Sequence, residues 1–187
     1  MTSEEARGSL LRRVTAVHHL WRLAVRDLTT EQLNHFERSG VLPLAFSLIH
    51  CVHLEDQSAA RLLARGPLLW ETHGPGLLAA GEIPARGTPM ADAERIRIAD
   101  ADAWRRYQDA VHLRTEQLVR DTPLARFDEQ AFDEPRPARV DGGFLGLITV
   151  GPVRVVDCLE AYVYQHGLRH LGEIEHSRAL VGLGGVS

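Results

Sequence analysis

Cysteine is scarce. The chain of 187 residues has only Cys51 and Cys158, too few for a disulfide framework or a cysteine-built zinc site. A basic excess is also missing: 21 Lys+Arg against 25 Asp+Glu leave a net charge of -4, which gives no electrostatic footing for nucleic acid or acidic membrane surfaces. No apolar run approaches the roughly 18 residues that a membrane-spanning helix needs, and the opening MTSEEARGSLLRR has no apolar signal core. These two absences point to the cytoplasm. A phosphate-binding P-loop, a dinucleotide fingerprint, a nucleophile elbow and an H-E-x-x-H zincin motif are all missing, which removes the usual nucleotide-binding, hydrolase and zincin readings. What remains is an ordinary globular composition, 44% hydrophobic and 25% charged. One domain over residues 1–187 is expected, with the Gly-rich residues 182–187 as a flexible tail.

Helical spacing dominates. Residues 9–26 carry Leu10, Leu11, Val14, Val17, Leu20 and Leu23 at three- and four-residue intervals, the stripe of an amphipathic helix. Thr29 with Gln32 reads as a capping box opening a short helix over 30–38, which Gly40 stops. A second long helix is expected over 43–64, a third over 92–120 and a fourth over 152–181. Gly and Pro punctuate 66–89, and residues 121–151 form a long connection in which 144–150 read as a short strand or extended chain. The economical architecture is an all-α four-helix bundle with a long crossover and loop insertions.

Ten histidines are unusual, and their placement carries the functional argument. On a wheel of the fourth helix, Val155, Leu159, Tyr162, Val163, His166, His170, Glu173, Ile174, Ser177 and Leu180 share one stripe. Burying a polar group without a partner costs roughly 1 to 3 kcal/mol, so two imidazoles and a carboxylate on that stripe demand partners. His166 and His170, one turn apart, can both reach one ion. A third ligand must come from a facing helix, where His50 and His53 are available, and the periodicity of 44–64 favours His53. His18, His19, His35, His73, His112 and His176 read as structural or exposed, with His18 or His19 in reserve as a fourth contact. Cys51 reads as a buried, inert thiol.

The segment Tyr162 to Ile174, YVYQHGLRHLGEI, and the segment Ile49 to Asp56, IHCVHLED, resemble two signatures of the DinB-like family of DNA-damage-inducible metalloenzymes. The first matches its H-x-x-x-H-x-G-[EQ]-I pattern, whose glycine, Gly172 here, implies a close approach of a neighbour. The second resembles the family's histidine followed five and six residues later by acidic residues. This resemblance implies a four-helix bundle, a frequent homodimer, and zinc, nickel or a similar ion held by His50, His166 and His170. It favours His50 where the periodicity favours His53.

Some members of the family act with low-molecular-weight thiols, so the resemblance implies a thiol-dependent transferase or isomerase, or a hydrolase, acting on a small-molecule substrate. Glu173 is then the general base or the partner of a ligand, and Tyr162 a donor. The connections 66–89 and 121–151 can roof the pocket. Two rival readings need no catalysis: a metal- or small-ligand-binding stress-response module, and a structural dimer whose histidines make ordinary hydrogen bonds.

Overall fold

The computed structural model describes residues 3–85, 87–133, 143–149 and 151–186. Helix α1 spans Ser3–Val25 and buries Leu10, Val14, Val17, Trp21, Ala24 and Val25. It begins before the apolar stripe does, because Glu4 and Glu5 in the first turn suit the positive end of the helix dipole. Helix α2, Thr30–Leu33, has the expected capping box: Thr29 Oγ1 accepts from the Gln32 amide at 3.2 Å, and Gln32 Oε1 accepts from the Thr29 amide at 3.0 Å. It stops at Leu33 rather than 38. The next residue, Asn34, hydrogen-bonds both backbone groups of Ile98 at 2.7 and 2.8 Å, a tertiary bridge that competes with helix.

Helix α3 spans Leu44–Ser58 and continues as a π-helical segment, Ala59–Ala64, which Arg65 ends in the left-handed region at φ 50°. The expected third helix is divided. Helix α4 (Trp70–His73), strand β1 (Leu78–Ala80), helix α5 (Met90–Ala93) and strand β2 (Arg97–Ile98) precede α6, Ala101–Asp121. The strands pair antiparallel, Leu78 opposite Ile98. Asp100 starts α6 by accepting from the Ala103 amide at 2.7 Å, so a side-chain cap sets a boundary that apolar periodicity does not mark. Helix α7 is Leu124–Asp128. The segment expected as strand or extended chain contains helix α8, Phe144–Ile148, anchored by buried Leu145; Val150 lies outside the described residues. Helix α9, Val155–Leu159, a π-helical segment Glu160–Gln165 and α10, His166–Leu180, together form the fourth long rod.

The four long helices make an all-helical bundle. Helix α6 lies against both α1 and α3 on one side, and α10 lies against both on the other. Successive long helices, α1 with α3 and α6 with α10, therefore stand diagonally opposed, which is why the links between them are long. Trp21, Trp104 and Tyr107 are among the largest fully buried side chains of the main core, and smaller clusters collect around Phe127 with Leu159 and around Leu145 with Cys158. Residues 182–186 fold back on α10: the Leu183 amide bonds the Arg178 carbonyl at 2.9 Å, and the Val186 amide bonds Glu175 Oε1 at 3.2 Å. Among the described residues no helix is long and apolar enough to cross a membrane.

Gly81, the turn after β1, has φ +80°, and a Cβ there would meet the Ile96 Cα at 2.9 Å. Gly81→Ala therefore combines left-handed strain with a backbone clash, and is expected to cost on the order of 2 kcal/mol. For a domain of this size that lowers the thermal midpoint by roughly 4 to 8 °C. An unchanged melting curve by circular dichroism contradicts the turn described.

Candidate metal centre

The π-helical segment Glu160–Gln165 ends directly at His166. A π turn holds more residues than an α turn and rotates everything beyond it relative to a uniform wheel, and such segments recur at functional sites. The consequence is visible at Tyr162. A uniform wheel places it on the histidine stripe, yet it packs with Leu145, Val153, Cys158 and Ala161. His166 and His170 begin the regular turns of α10 and face α3.

Three imidazoles meet there. His50 of α3 has its ring centroid 5.1 Å from that of His166 and 5.4 Å from that of His170, and its other side stacks on Phe46 at 5.4 Å. One ligand atom from each of His50, His166 and His170 lies within 4.8 Å of the others. The Nε2 atoms of His166 and His170 are 3.2 Å apart. Nitrogens bound to one tetrahedral ion at about 2.0 to 2.1 Å stand roughly 3.3 Å apart, so this pair is already spaced for a shared ion.

Glu173 lies one turn further along α10. Its Oε2 accepts from His170 Nδ1 at 2.7 Å and from Ser47 Oγ at 2.6 Å. A proton held on Nδ1 leaves Nε2 as the lone pair of His170, the carboxylate–histidine arrangement that orients metal ligands. Burial pushes the Glu173 carboxyl up, but the hydrogen bonds from His170 and Ser47 outweigh it and hold the group at about 2. Burial and the neighbouring His170 push His50 down to about 4 and His166 down to about 3. Both imidazoles are neutral at pH 7, the state a metal needs. His166 Nδ1 is buried without a hydrogen-bond partner among the described residues. Three converging imidazoles, one of them oriented by a carboxylate, fit a divalent ion.

His53 is engaged elsewhere: its ring nitrogens lie 2.9 Å from Gln57 Nε2 and 3.4 Å from the Tyr107 hydroxyl, and Trp70 stacks edge-on at 5.2 Å. The wheel favoured His53 because α3 is a central helix with buried residues on nearly every face, so its apolar arc has no sharp centre. Among the described residues nothing lies within 4 Å of where a Cβ on Gly172 would be, so none of them makes the close approach expected there. Gly167 provides one instead, with Val17 Cγ1 at 3.1 Å from the ideal Cβ.

A cleft of about 460 Å³ borders Glu173 and Ser47, and its lining includes Leu42, Leu44, Arg169 and His35. Among the described residues, the α2–α3 link, the first turn of α3 and α10 wall this cleft. The three imidazoles are not in its lining. His19 and His176 are exposed, and His73 lies beside Tyr107. His18 and His112 are buried and form a second group with Glu55, which sequence reasoning did not find.

No family model matches the chain, and no curated protein matches it. Among solved structures it is similar to the crystal structure of a conserved protein from Enterococcus faecalis. The TM-score is 0.72 at 13% identity, over 93% of this chain and 95% of that one. At that identity the likeness establishes the fold alone, a helical bundle matched along nearly its whole length.

Proposed function

We propose that this chain is a divalent-metal-dependent enzyme of the DinB-like type. It uses zinc, nickel or a similar ion held by His50, His166 and His170 to transfer or isomerise a small substrate with a low-molecular-weight thiol, or to hydrolyse it. The observation that carries the reading is the convergence of three imidazoles at a place where His50 and His166 are only half-buried. Three protein ligands beside solvent leave a coordination position for a reactant, whereas a structural site is closed by four. A bound divalent ion supplies Lewis acidity and lowers the pKa of a coordinated thiol or water.

The chain's own residues prepare that position. Ser47 and His170 fix the Glu173 carboxylate, and Glu173 in turn fixes the His170 tautomer. A carboxyl held at about 2 is a weak general base, since such bases work best with a pKa near the operating pH. Glu173 is accordingly a positioning residue. Tyr162, packed away in the Leu145 cluster, has no part in this reading. The same reading has the chain act in the cytoplasm as a homodimer.

The rival is a non-catalytic metal-binding module of the stress-response kind, favoured by the absence of the imidazoles from the cleft lining. Metal-loaded protein incubated with a low-molecular-weight thiol and an electrophile separates the two. Thiol consumption that disappears in Glu173→Gln together with the metal supports the enzyme. Stoichiometric metal with no turnover over a panel of thiols, electrophiles and esters supports the module. Glu173→Gln is itself expected to weaken metal affinity on the order of 10- to 100-fold in competition with a chelator, and an unchanged affinity removes Glu173 from the centre.

A further inference from the structure

Inside the bundle, away from the half-buried centre, lies a second convergence of ligand-type side chains. His18 of α1, Glu55 of α3 and His112 of α6 are 2%, 4% and 2% exposed. One ligand atom from each lies within 4.8 Å of the others. Glu55 is five residues beyond His50 on the same helix, about 7.5 Å along its axis, so the two groups are separate places in one bundle.

His18 stands between two carboxylates. Its Nδ1 is 2.9 Å from Glu116 Oε1, and its Nε2 is 3.1 Å from Glu55 Oε1 and 3.3 Å from Oε2. This repeats the arrangement at the first centre: a carboxylate on one imidazole nitrogen, with the other nitrogen turned toward further ligands. Arg22 approaches Glu116 at 3.9 Å. The His112 ring stacks on His18, centroids 3.9 Å apart and planes within 2°, and Trp21 closes its edge at 6.2 Å.

The interior here leaves polar atoms unsatisfied. His112 Nδ1 and Glu55 Oε1 are buried with no hydrogen-bond partner among the described residues, the latter being close to His18 but outside hydrogen-bond geometry. So are Gln108 Oε1 and Thr115 Oγ1. Gln108, His112 and Thr115 follow one another at four- and three-residue steps along α6, so they lie on one face of it. Buried polar atoms are nearly always partnered, and a concentration of exceptions calls for a specific occupant. The charges name its class. Burial opposes a charge on His18, but Glu55 and Glu116 outweigh it and hold its imidazolium up to about 9; once that proton has left, two carboxylates beside two neutral imidazoles carry -2, which a divalent cation matches.

We propose that His18, His112 and Glu55 form a second, buried divalent-metal site, with Glu116 as the carboxylate that orients His18. The ion displaces the proton between His18 Nε2 and Glu55, which leaves to solvent, and the His112 ring tilts out of its parallel stack to bring its nitrogen to the metal. With both oxygens of Glu55 the site is closed by protein on all sides, the character of a structural ion. It ties together α1, α3 and α6, whereas the half-buried centre links α3 to α10.

Untagged protein, stripped with a chelator and titrated with Co(II) or Zn(II), tests this by stoichiometry. Wild type is expected to bind two equivalents. The double variant His166→Ala/His170→Ala is expected to keep one and to gain thermal stability when it is loaded. Adding His112→Gln to that background is expected to abolish the remaining equivalent, with Glu55→Gln as the alternative if His112→Gln does not fold by circular dichroism. One equivalent in wild type and none in the double variant overturns the buried site and leaves the first centre standing. One equivalent that survives the double variant and is lost with His112→Gln does the reverse.

Discussion

His170→Ala is expected to abolish stoichiometric metal at the His50 centre. The substitution removes one of the three proposed ligands, the imidazole that Glu173 orients from 2.7 Å. Structural zinc sites release about 10 to 16 kcal/mol through four ligands, or about 3 to 4 kcal/mol per ligand. Losing one therefore weakens affinity on the order of 100- to 1,000-fold, enough to empty the centre on dialysis against a weak chelator. His166→Ala is expected to do the same, since its Nε2 is the partner spaced 3.2 Å from that of His170. His53→Ala is the decisive control. Its ring is held by Gln57 and Tyr107, so removing it is expected to cost stability but no metal. Elemental analysis of untagged protein reads all three variants. If both His166→Ala and His170→Ala hold as much metal as wild type, the centre is not where the geometry puts it.

That pair was legible in the sequence because its geometry is local. Two histidines four residues apart on one helix meet whatever the rest of the chain does. The third imidazole of the cluster was less legible. Helix α3 is buried on nearly every face, so a wheel could not rank His50 above His53. The fold shows the same division. The four long helices and the Thr29 capping box follow from apolar spacing and cap chemistry written in adjacent residues. The split of 92–120 does not, because it depends on Asn34 reaching across to Ile98. Likewise α8 forms over Leu145, whose burial depends on Val153, Cys158 and Ala161. The buried His18 group was the least accessible to sequence reasoning. His18 meets a carboxylate 37 residues away and another 98 away, and only the diagonal arrangement of the bundle brings them together. The adjacent acidic residues Glu55 and Asp56 had no evident separate roles in the sequence. In the fold they diverge, Glu55 toward His18 and Asp56 toward the start of α4 and toward α6.

Asp56→Ala follows from that divergence and is expected to be the most destabilising single substitution outside the apolar core. The carboxylate is fully buried, at 0% exposure. Its Oδ1 accepts from the Leu69 amide at 3.1 Å, and its Oδ2 accepts from the Trp70 amide at 2.9 Å and from the Tyr107 hydroxyl at 3.3 Å. Arg114 Nη1 stands 3.6 Å from Oδ1 and supplies the counter-charge. One side chain thus satisfies two backbone donors at the entry to α4, which has no side-chain cap from its own N-cap residue, Leu69, and fastens that entry to α6. Truncation leaves two amides unpartnered, takes from the Tyr107 hydroxyl its carboxylate acceptor and leaves Arg114 without its anion, a loss of about 3 to 5 kcal/mol. Against a usual total of about 5 to 15 kcal/mol, that is a large share of the stability of the domain. Asp56→Asn keeps the shape but presents an amide donor to one of the groups that must donate, so it recovers only part of the loss. Urea unfolding followed by tryptophan fluorescence measures both variants, and amide exchange is expected to rise first around Leu69 and Trp70. An Asp56→Ala variant within about 1 kcal/mol of wild type, less than a single buried unpartnered donor usually costs, contradicts the role of this carboxylate as the fastening between α3, α4 and α6.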